Sequence, residues 1–425
     1  MSDLPAIAIE GPKAVGKTMT AGRRTHSTLA LDDPAEVALL AADAARLNRL
    51  PPPLLIDEWQ RYPRVWDLVR RAVDDGAPPG TFLLTGSATP TSAPTHSGAG
   101  RIVRLRMRPM SLAERGLTAP TVSVAELLTG TRPPVEGDSV VSLAEYTEEI
   151  VASGFPGIRP RPPAAQRDAL DGYLDAIVEH DFAELGHVVR RPASLRAWLT
   201  AFAAATSTTA SYNALLDAAT AGQTDKPAKT TTIAYRDTLE RMWVLDEVPA
   251  WTGSRNHLLN LTQSPRHHLA DPALAARILG VDSAALLRTP RAVPAPSRMA
   301  TPRMAITPRS ALAPRDGTLL GALFESLVTL SLRVYADSAG AKVHHLRTPR
   351  GDHEVDLVLT RDDGAVVAFE VKLAPTVDDA DVTHLRWLRD RLGDELLDAV
   401  VVTTGPGAYR RPDGIAVVPA ALLGP

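Results

Sequence analysis

Residues 6–18 read AIAIEGPKAVGKT, and the reading of this stretch decides the fold of the front of the chain. A short β-type run, Ala6–Glu10, leads into Gly11-x-x-x-x-Gly16-Lys17-Thr18, the full phosphate-loop pattern. Glycines let backbone N–H groups close around an anionic phosphate with no Cβ in the way. A helix predicted to start near Lys17 aims the positive end of its dipole at the same point. Gly11, Pro12, Lys13, Ala14, Val15 and Gly16 therefore form the predicted cradle. Lys17 is expected to reach the β- and γ-phosphates, and Thr18 to offer its hydroxyl to Mg²⁺. The competing reading is a chance Gly-rich turn, which the preceding strand and all four fixed residues argue against.

Working outward, residues 53–60, PLLIDEWQ, supply the partner. So dense an apolar run suits a strand buried on both faces of a parallel sheet. It ends in Asp57 and Glu58, where such sheets meet their ligands. Asp57 is expected to hold Mg²⁺, and Glu58 to orient and deprotonate the attacking water. Trp59 is read as packing. A third strand, TFLLTGSA (81–88), carries Thr85 and Ser87 to the same end as candidate γ-phosphate sensors, with turn residues as the alternative. Arg101, in GAGR, is a candidate arginine finger.

These stretches, together with RPMSLAERG (108–116), arrive in an order and spacing that resemble a large family of bacterial and archaeal AAA-type ATPases. GFPG (154–157), YLDAIVEHDFAEL (173–185) and HHLADPALA (267–275) also look like that family, so the resemblance covers nearly the whole chain. It implies an ATPase module, a helical and winged-helix-like middle, and a C-terminal restriction-endonuclease-like domain of uncharacterised function. The expected class is α/β throughout its two ends. The expected boundaries are a P-loop ATPase core at 1–115, a helical lid or connector at 116–190, a winged-helix-like region at 191–282, a linker at 283–315 and a nuclease-like domain at 316–425.

Composition narrows the setting. The chain has 425 residues, 44% of them hydrophobic, and carries no cysteine, so neither a disulfide framework nor a thiolate zinc site is available. No charged-then-apolar leader pattern opens it, and no uncharged apolar run reaches the ~18–20 residues that span a bilayer. A cytoplasmic protein with no membrane partner is the expectation. A net charge of −3 gives no global basic field for nucleic acid. Residues 283–315 differ locally: proline is frequent, there is no acidic residue, and Arg288, Arg291, Arg298, Arg303, Arg309 and Arg315 punctuate the run. That texture predicts a semi-rigid linker, or alternatively a basic arm along DNA or RNA phosphates.

At the back, GTLLGALFESLVTLSLRVYAD (317–337) is a periodic helix with Glu325 inside its apolar pattern. HEVDLVL (353–359) predicts a strand bearing Asp356, and VVAFEVKL (366–373) its hairpin partner with Glu370 and Lys372 on one face. Two carboxylates brought together call for a cation, and Mg²⁺ takes one or two carboxylates plus phosphate and water. Asp356 and Glu370 are the candidate ligands. Of 46 basic residues only six are lysine, and Lys13, Lys17 and Lys372 fall in the two candidate sites. The order helix-Glu, strand-Asp, Glu-x-Lys resembles the PD-(D/E)xK nuclease superfamily, and that resemblance implies active-site roles for Glu325, Asp356, Glu370 and Lys372. Glu354 is expected on the opposite strand face, in solvent, and His344, His345, His353 and His384 are read as surface residues. Two functions stay open: an ATP-driven machine gating a nuclease, or an ATP-dependent switch whose nuclease-like part only binds a partner. ATP and Mg²⁺ are the expected cofactors. DNA or RNA and further copies of the chain are the candidate partners.

Overall fold

A computed structural model describes residues 3–88, 98–187, 189, 191–221, 229–251, 263–288, 316–348 and 351–425. The chain divides into two compact units, each assembled from separated segments. The first comprises Met1–Met110, Gly154–Leu195 and Pro227–Asp246; the second comprises Ser111–Ser153, Arg196–Lys226 and Glu247–Pro425. The predicted connector at 116–190 and the predicted winged-helix region at 191–282 are thus each divided between the units. Spatial packing, rather than sequence order, sets the boundaries.

The first unit is built on β1 (Ala6–Glu10), β2 (Ser27–Ala30), β3 (Leu54–Asp57), β4 (Phe82–Gly86) and β5 (Ile102–Arg106), all parallel in the order β2-β3-β4-β1-β5. Strand alternation distributes their apolar residues to two faces. Ala6, Ala8, Leu54, Ile56, Phe82 and Leu84 enter one core with Trp59 and Trp66, whereas Ile7, Leu55 and Leu83 enter a second with Ala21. Burial on both faces is what the unbroken LLI and FLL runs encode. Trp59 packs against Trp66 at 4.6 Å between ring centroids, as its sequence position suggests.

The second unit carries β6 (Val122–Ser123), β7 (Gly137–Asp138), β8 (Lys342–Arg347), β9 (Glu354–Thr360), β10 (Val366–Val371), β11 (Leu396–Thr403), β12 (Gly407–Arg410), β13 (Ala416–Pro419) and β14 (Leu423–Gly424). Seven of these form a mixed sheet in the order β7-β12-β13-β11-β10-β9-β8, and β6 pairs with β14. Strand β7 shows why residues 111–153 join this unit: Gly137 and Asp138 extend the sheet by pairing with Ala408 and Gly407. Tyr146 adds an edge-to-face contact with Phe324 and accepts a hydrogen bond from the Ala421 N–H at 2.9 Å. The predicted β9–β10 pair is antiparallel, with Phe369 opposite Leu357.

The helix Asp316–Ser338 contains one stretch, Leu319–Ser338, long and apolar enough to cross a membrane, and 78% of it is buried within the protein. Burial of that order is what a core helix shows. Within 191–282 the described residues form helices at Pro192–Ala204, Tyr212–Ala219, Lys229–Arg241 and Pro272–Ile278. Among the described residues of this stretch, strand pairing is recorded as two isolated bridges, Val248–Arg266 and Ala250–His345. The Lys229–Arg241 helix belongs to the first unit and its neighbours in sequence to the second. Of the predicted linker, Ser283–Leu287 is helical, capped by the Asp282 side chain. Residues 289–315, with five of the six arginines, lie outside the described residues.

Candidate functional site

The loop between β1 and the Lys17–Gly22 helix has the backbone its glycines promise. Gly16 sits at φ +99°, and a Cβ on Gly11 (φ +157°) would meet the Met107 carbonyl oxygen at 2.1 Å. No other residue fits at Gly11 without moving that chain. Lys17 is 6% exposed, and its ammonium donates to the Gly11 and Pro12 carbonyls at 2.9 and 2.7 Å. Burial pulls its pKa down to about 8, against the raising influence of Glu58 and Asp57. A buried ammonium bonded to neutral carbonyls is a receptor for an anion.

Across from the loop, Asp57 ends β3. The Thr18 hydroxyl donates to Asp57 Oδ1 at 2.9 Å, and the Thr85 hydroxyl donates to the same oxygen. Two hard oxygen donors from Thr18 and Asp57 suit Mg²⁺, so the residues fit the nucleotide and its ion. Glu58 takes a left-handed backbone, φ 52°, which is uncommon outside glycine and turns its side chain to the strand end. There its Oε2 accepts from Ser87 Oγ at 3.3 Å and from Gln60 Nε2. Ser87 therefore meets Glu58 across the ends of β4 and β3. Gln60 was not singled out in the sequence, where it reads as the polar end of an apolar run.

Lys13 leaves the loop in another direction. It pairs with Asp181 at 2.7 Å and Glu184 at 3.2 Å, and Glu184 also pairs with Arg61 at 3.0 Å. These carboxylates outweigh the lowering effect of burial and raise the Lys13 pKa. Asp181 is delivered by a π-helical turn, Ile177–Asp181, a conformation found mostly as single turns inside α-helices and frequently at functional sites. A cleft of about 260 Å³ lies between Lys13, Gln60, Ser87, Tyr173 and Asp181. Arg101, the candidate finger, pairs instead with Asp74 at 2.8 Å in the same unit.

The second unit brings Glu325, Asp356, Glu370 and Lys372 together as the sequence predicts, and adds a residue it does not. Arg266, 2% exposed, places Nη1 on Asp356 Oδ1 at 2.9 Å and on Glu325, and Nη2 on Glu354. Glu354 is therefore part of the cluster, a correction with a simple cause: residues 354 and 356 are two apart on β9 and share a face. Asp356 Oδ2 also accepts the Val371 N–H at 2.9 Å, and Lys372 lies 3.6 Å from Glu370 Oε2. Burial raises Glu370 well above the carboxylate range, reinforced by Asp356 beside it. Burial pushes Glu325 up to about 8 although Arg266 pulls the other way. Arg266 and the Val371 N–H hold Asp356 below its usual value despite burial.

No group of three or more His, Asp or Glu among the described residues is arranged to hold a metal ion. In the C-terminal cluster a guanidinium sits on Asp356, one of the two carboxylates expected to ligate Mg²⁺. The residue types suit a divalent ion, but their arrangement does not. The histidines also depart from a surface reading. His345 is 1% exposed and burial lowers its pKa to about 4, while His353 stacks on Trp387 at 4.0 Å and meets His384 at 3.3 Å.

Comparison with known proteins divides the chain in three. Residues 3–115 match the AAA domain family, 143–285 a domain of unknown function (DUF8612) and 320–423 another domain of unknown function (DUF4143). Uncharacterized proteins of Mycobacterium bovis and Mycobacterium tuberculosis are each 26% identical over 98% of this chain and 80% of theirs. Among solved structures, the Walker-type ATPase paby2304 of Pyrococcus abyssi is similar over 65% of this chain and 91% of its own, at 15% identity and a TM-score of 0.35. The Aeropyrum pernix ORC2 protein is similar over 66% and 87%, at 12% identity and a TM-score of 0.27. The phosphate loop and the strand-end acids lie wholly inside the matched 3–115 segment, so the front of the chain is similar to a P-loop ATPase domain of AAA type.

Proposed function

We propose that this protein is an ATP-hydrolysing switch whose second unit binds a partner without cutting it. The observation that carries the first half is the Thr18–Asp57 contact at 2.9 Å beside Glu58, which gathers metal donors and a base at one strand end. The loop N–H groups and Lys17 bind and charge-neutralise the triphosphate, and Thr18 with Asp57 would hold Mg²⁺. The bound ion would supply charge stabilisation for the transferring phosphoryl group. Glu58, steadied by Ser87 and Gln60, orients a water and takes its proton. Phosphate release by wild type, Lys17→Ala and Glu58→Gln, measured beside nucleotide binding, tests this. Hydrolysis lost in Glu58→Gln with binding kept is the expected result, and wild-type turnover by Glu58→Gln overturns it.

The second half rests on Arg266. Cleavage through Asp356, Glu370 and Lys372 is the rival reading, favoured by their convergence on adjacent strands. The guanidinium on Asp356 favours binding without cleavage. Nucleic acid is the partner class proposed, by the fold suggested in the sequence, and a winged-helix-like role for the middle region is part of that proposal. Plasmid, linear duplex, single-stranded DNA and RNA incubated with Mg²⁺ and ATP should emerge intact while duplex retention on the protein changes with nucleotide. Cuts that vanish with Lys372→Ala would restore the nuclease reading.

A further inference from the structure

We propose that Arg266 is the resident cation of the C-terminal acidic site, and that it excludes a divalent ion by occupying the same carboxylates. This inference is independent of nucleotide hydrolysis. Its first support is geometric. One guanidinium touches Glu325 and Asp356 through Nη1 and Glu354 through Nη2, carboxylates drawn from the Asp316–Ser338 helix and from β9. Mg²⁺ demands near-octahedral oxygen ligands at roughly 2.0–2.1 Å. A planar group with Nη1 on Asp356 at 2.9 Å leaves that oxygen no free approach on the same side.

The second support is that Arg266 is fixed from its backbone. Its N–H and carbonyl exchange two hydrogen bonds with Val248, both 2.9 Å. The next residue, His267, is held by Glu247 at 2.8 Å and by the Ala210 carbonyl at 2.6 Å. His268 then meets Ser326 at 3.2 Å, one residue from Glu325. A backbone so anchored holds the root of the Arg266 side chain beside the cluster, and its guanidinium is kept there by the three carboxylates it meets.

The third support is that the site holds a further acid with no ion pair to Arg266 among the described residues. Glu370, 3% exposed, lies against Asp356, with Lys372 3.6 Å from its Oε2. The ligand class the carboxylates would take, with Arg266 gone, is a hard divalent cation.

The test uses the full chain without nucleotide, in an Asp57→Asn background that removes the front-end donor. Mn²⁺ binding is followed by electron paramagnetic resonance, and unfolding temperature is recorded with and without Mn²⁺. The background protein should bind Mn²⁺ weakly, with an unmoved unfolding temperature. Adding Arg266→Gln should tighten binding to one ion per chain by about 100-fold, the gain when a blocked fraction near 99% is freed. Adding Asp356→Asn should abolish that gain. If Arg266→Gln does not fold alone, refolding in Mn²⁺ but not in sodium chloride of equal ionic strength sustains the proposal. Failure of Mn²⁺ to rescue it overturns the proposal, as does a folded Arg266→Gln that binds no tighter than its background.

Discussion

At the front of the chain the buried cation, Lys17, donates to two backbone carbonyls, and the nearby acid, Asp57, accepts from threonine hydroxyls. At the back the buried cation, Arg266, lies directly on the acids. Both sites set carboxylates at strand ends or on strands with a lysine near, so their residue lists look alike. Their availability differs. Hydrogen bonds with one charged partner, such as these, contribute about 1.5–3 kcal/mol each and re-form with a ligand. Separating a buried arginine from its carboxylates leaves uncompensated charge on both sides, at about 3–5 kcal/mol. The front site is therefore arranged for a ligand to enter, and the back site is arranged to stay closed.

The largest effect that separates the two is expected at Glu58. Glu58→Gln should lower kcat by about 10²–10⁴-fold, the usual worth of a positioned general base, with nucleotide affinity retained. Steady-state turnover beside fluorescent-nucleotide titration checks it. A matched loss of affinity would make Glu58 a binding residue and weaken the contrast. Next comes Arg266→Ala, which should destabilise the second unit by about 3–5 kcal/mol in the absence of divalent ions, because Glu325, Glu354 and Asp356 lose their counter-charge. Denaturant unfolding measures this, and a loss under about 1 kcal/mol would show the cluster tolerates an open centre.

A pH series sharpens the front half. Lys17 titrates near 8, so the ammonium that pairs with phosphate is present below that value and lost above it. Bound phosphate restores the proton, and nucleotide affinity should fall toward about tenfold per pH unit well above 8. Flat affinity from pH 7 to 9.5 would mean Lys17 does not contribute its charge. The smallest effect is expected from Asp181→Asn. The Lys13–Asp181 pair joins a half-exposed lysine to its partner, and such pairs contribute about 0–1 kcal/mol. The same variant leaves Lys13 paired with Glu184 alone and should raise nucleotide affinity by severalfold at most, read by the same titration.

Local pattern carried what was legible in the sequence. The glycine spacing at 11 and 16, the LLID run and the periodic helix around Glu325 each announce their structure within a dozen residues. Glu325, Asp356, Glu370 and Lys372 meet because helix and strand periods place them on inward faces. Arg266 was illegible because its partners lie 59 to 90 residues away, beyond any local period. Within SPRHHLAD nothing distinguishes it from the other 39 arginines. Asp181 and Glu184 were hidden likewise, being 168 and 171 residues from Lys13. The grouping of segments into compact units was hidden for a related reason. Gly137 and Asp138 are a two-residue strand with no apolar run to mark it, yet they bind residues 111–153 to a sheet nearly 270 residues further on. Glu354 was misplaced by an error of register that the two-residue strand period itself corrects.

The most direct measurement counts ions on the wild-type chain: Mn²⁺ stoichiometry with and without a non-hydrolysable ATP analogue. One ion per chain with the nucleotide and none without it is the predicted result, since the front site takes its ion with a phosphate and Arg266 fills the back. An ion bound without nucleotide and released by Asp356→Asn would contradict the account, placing a working metal where the arginine is said to stand.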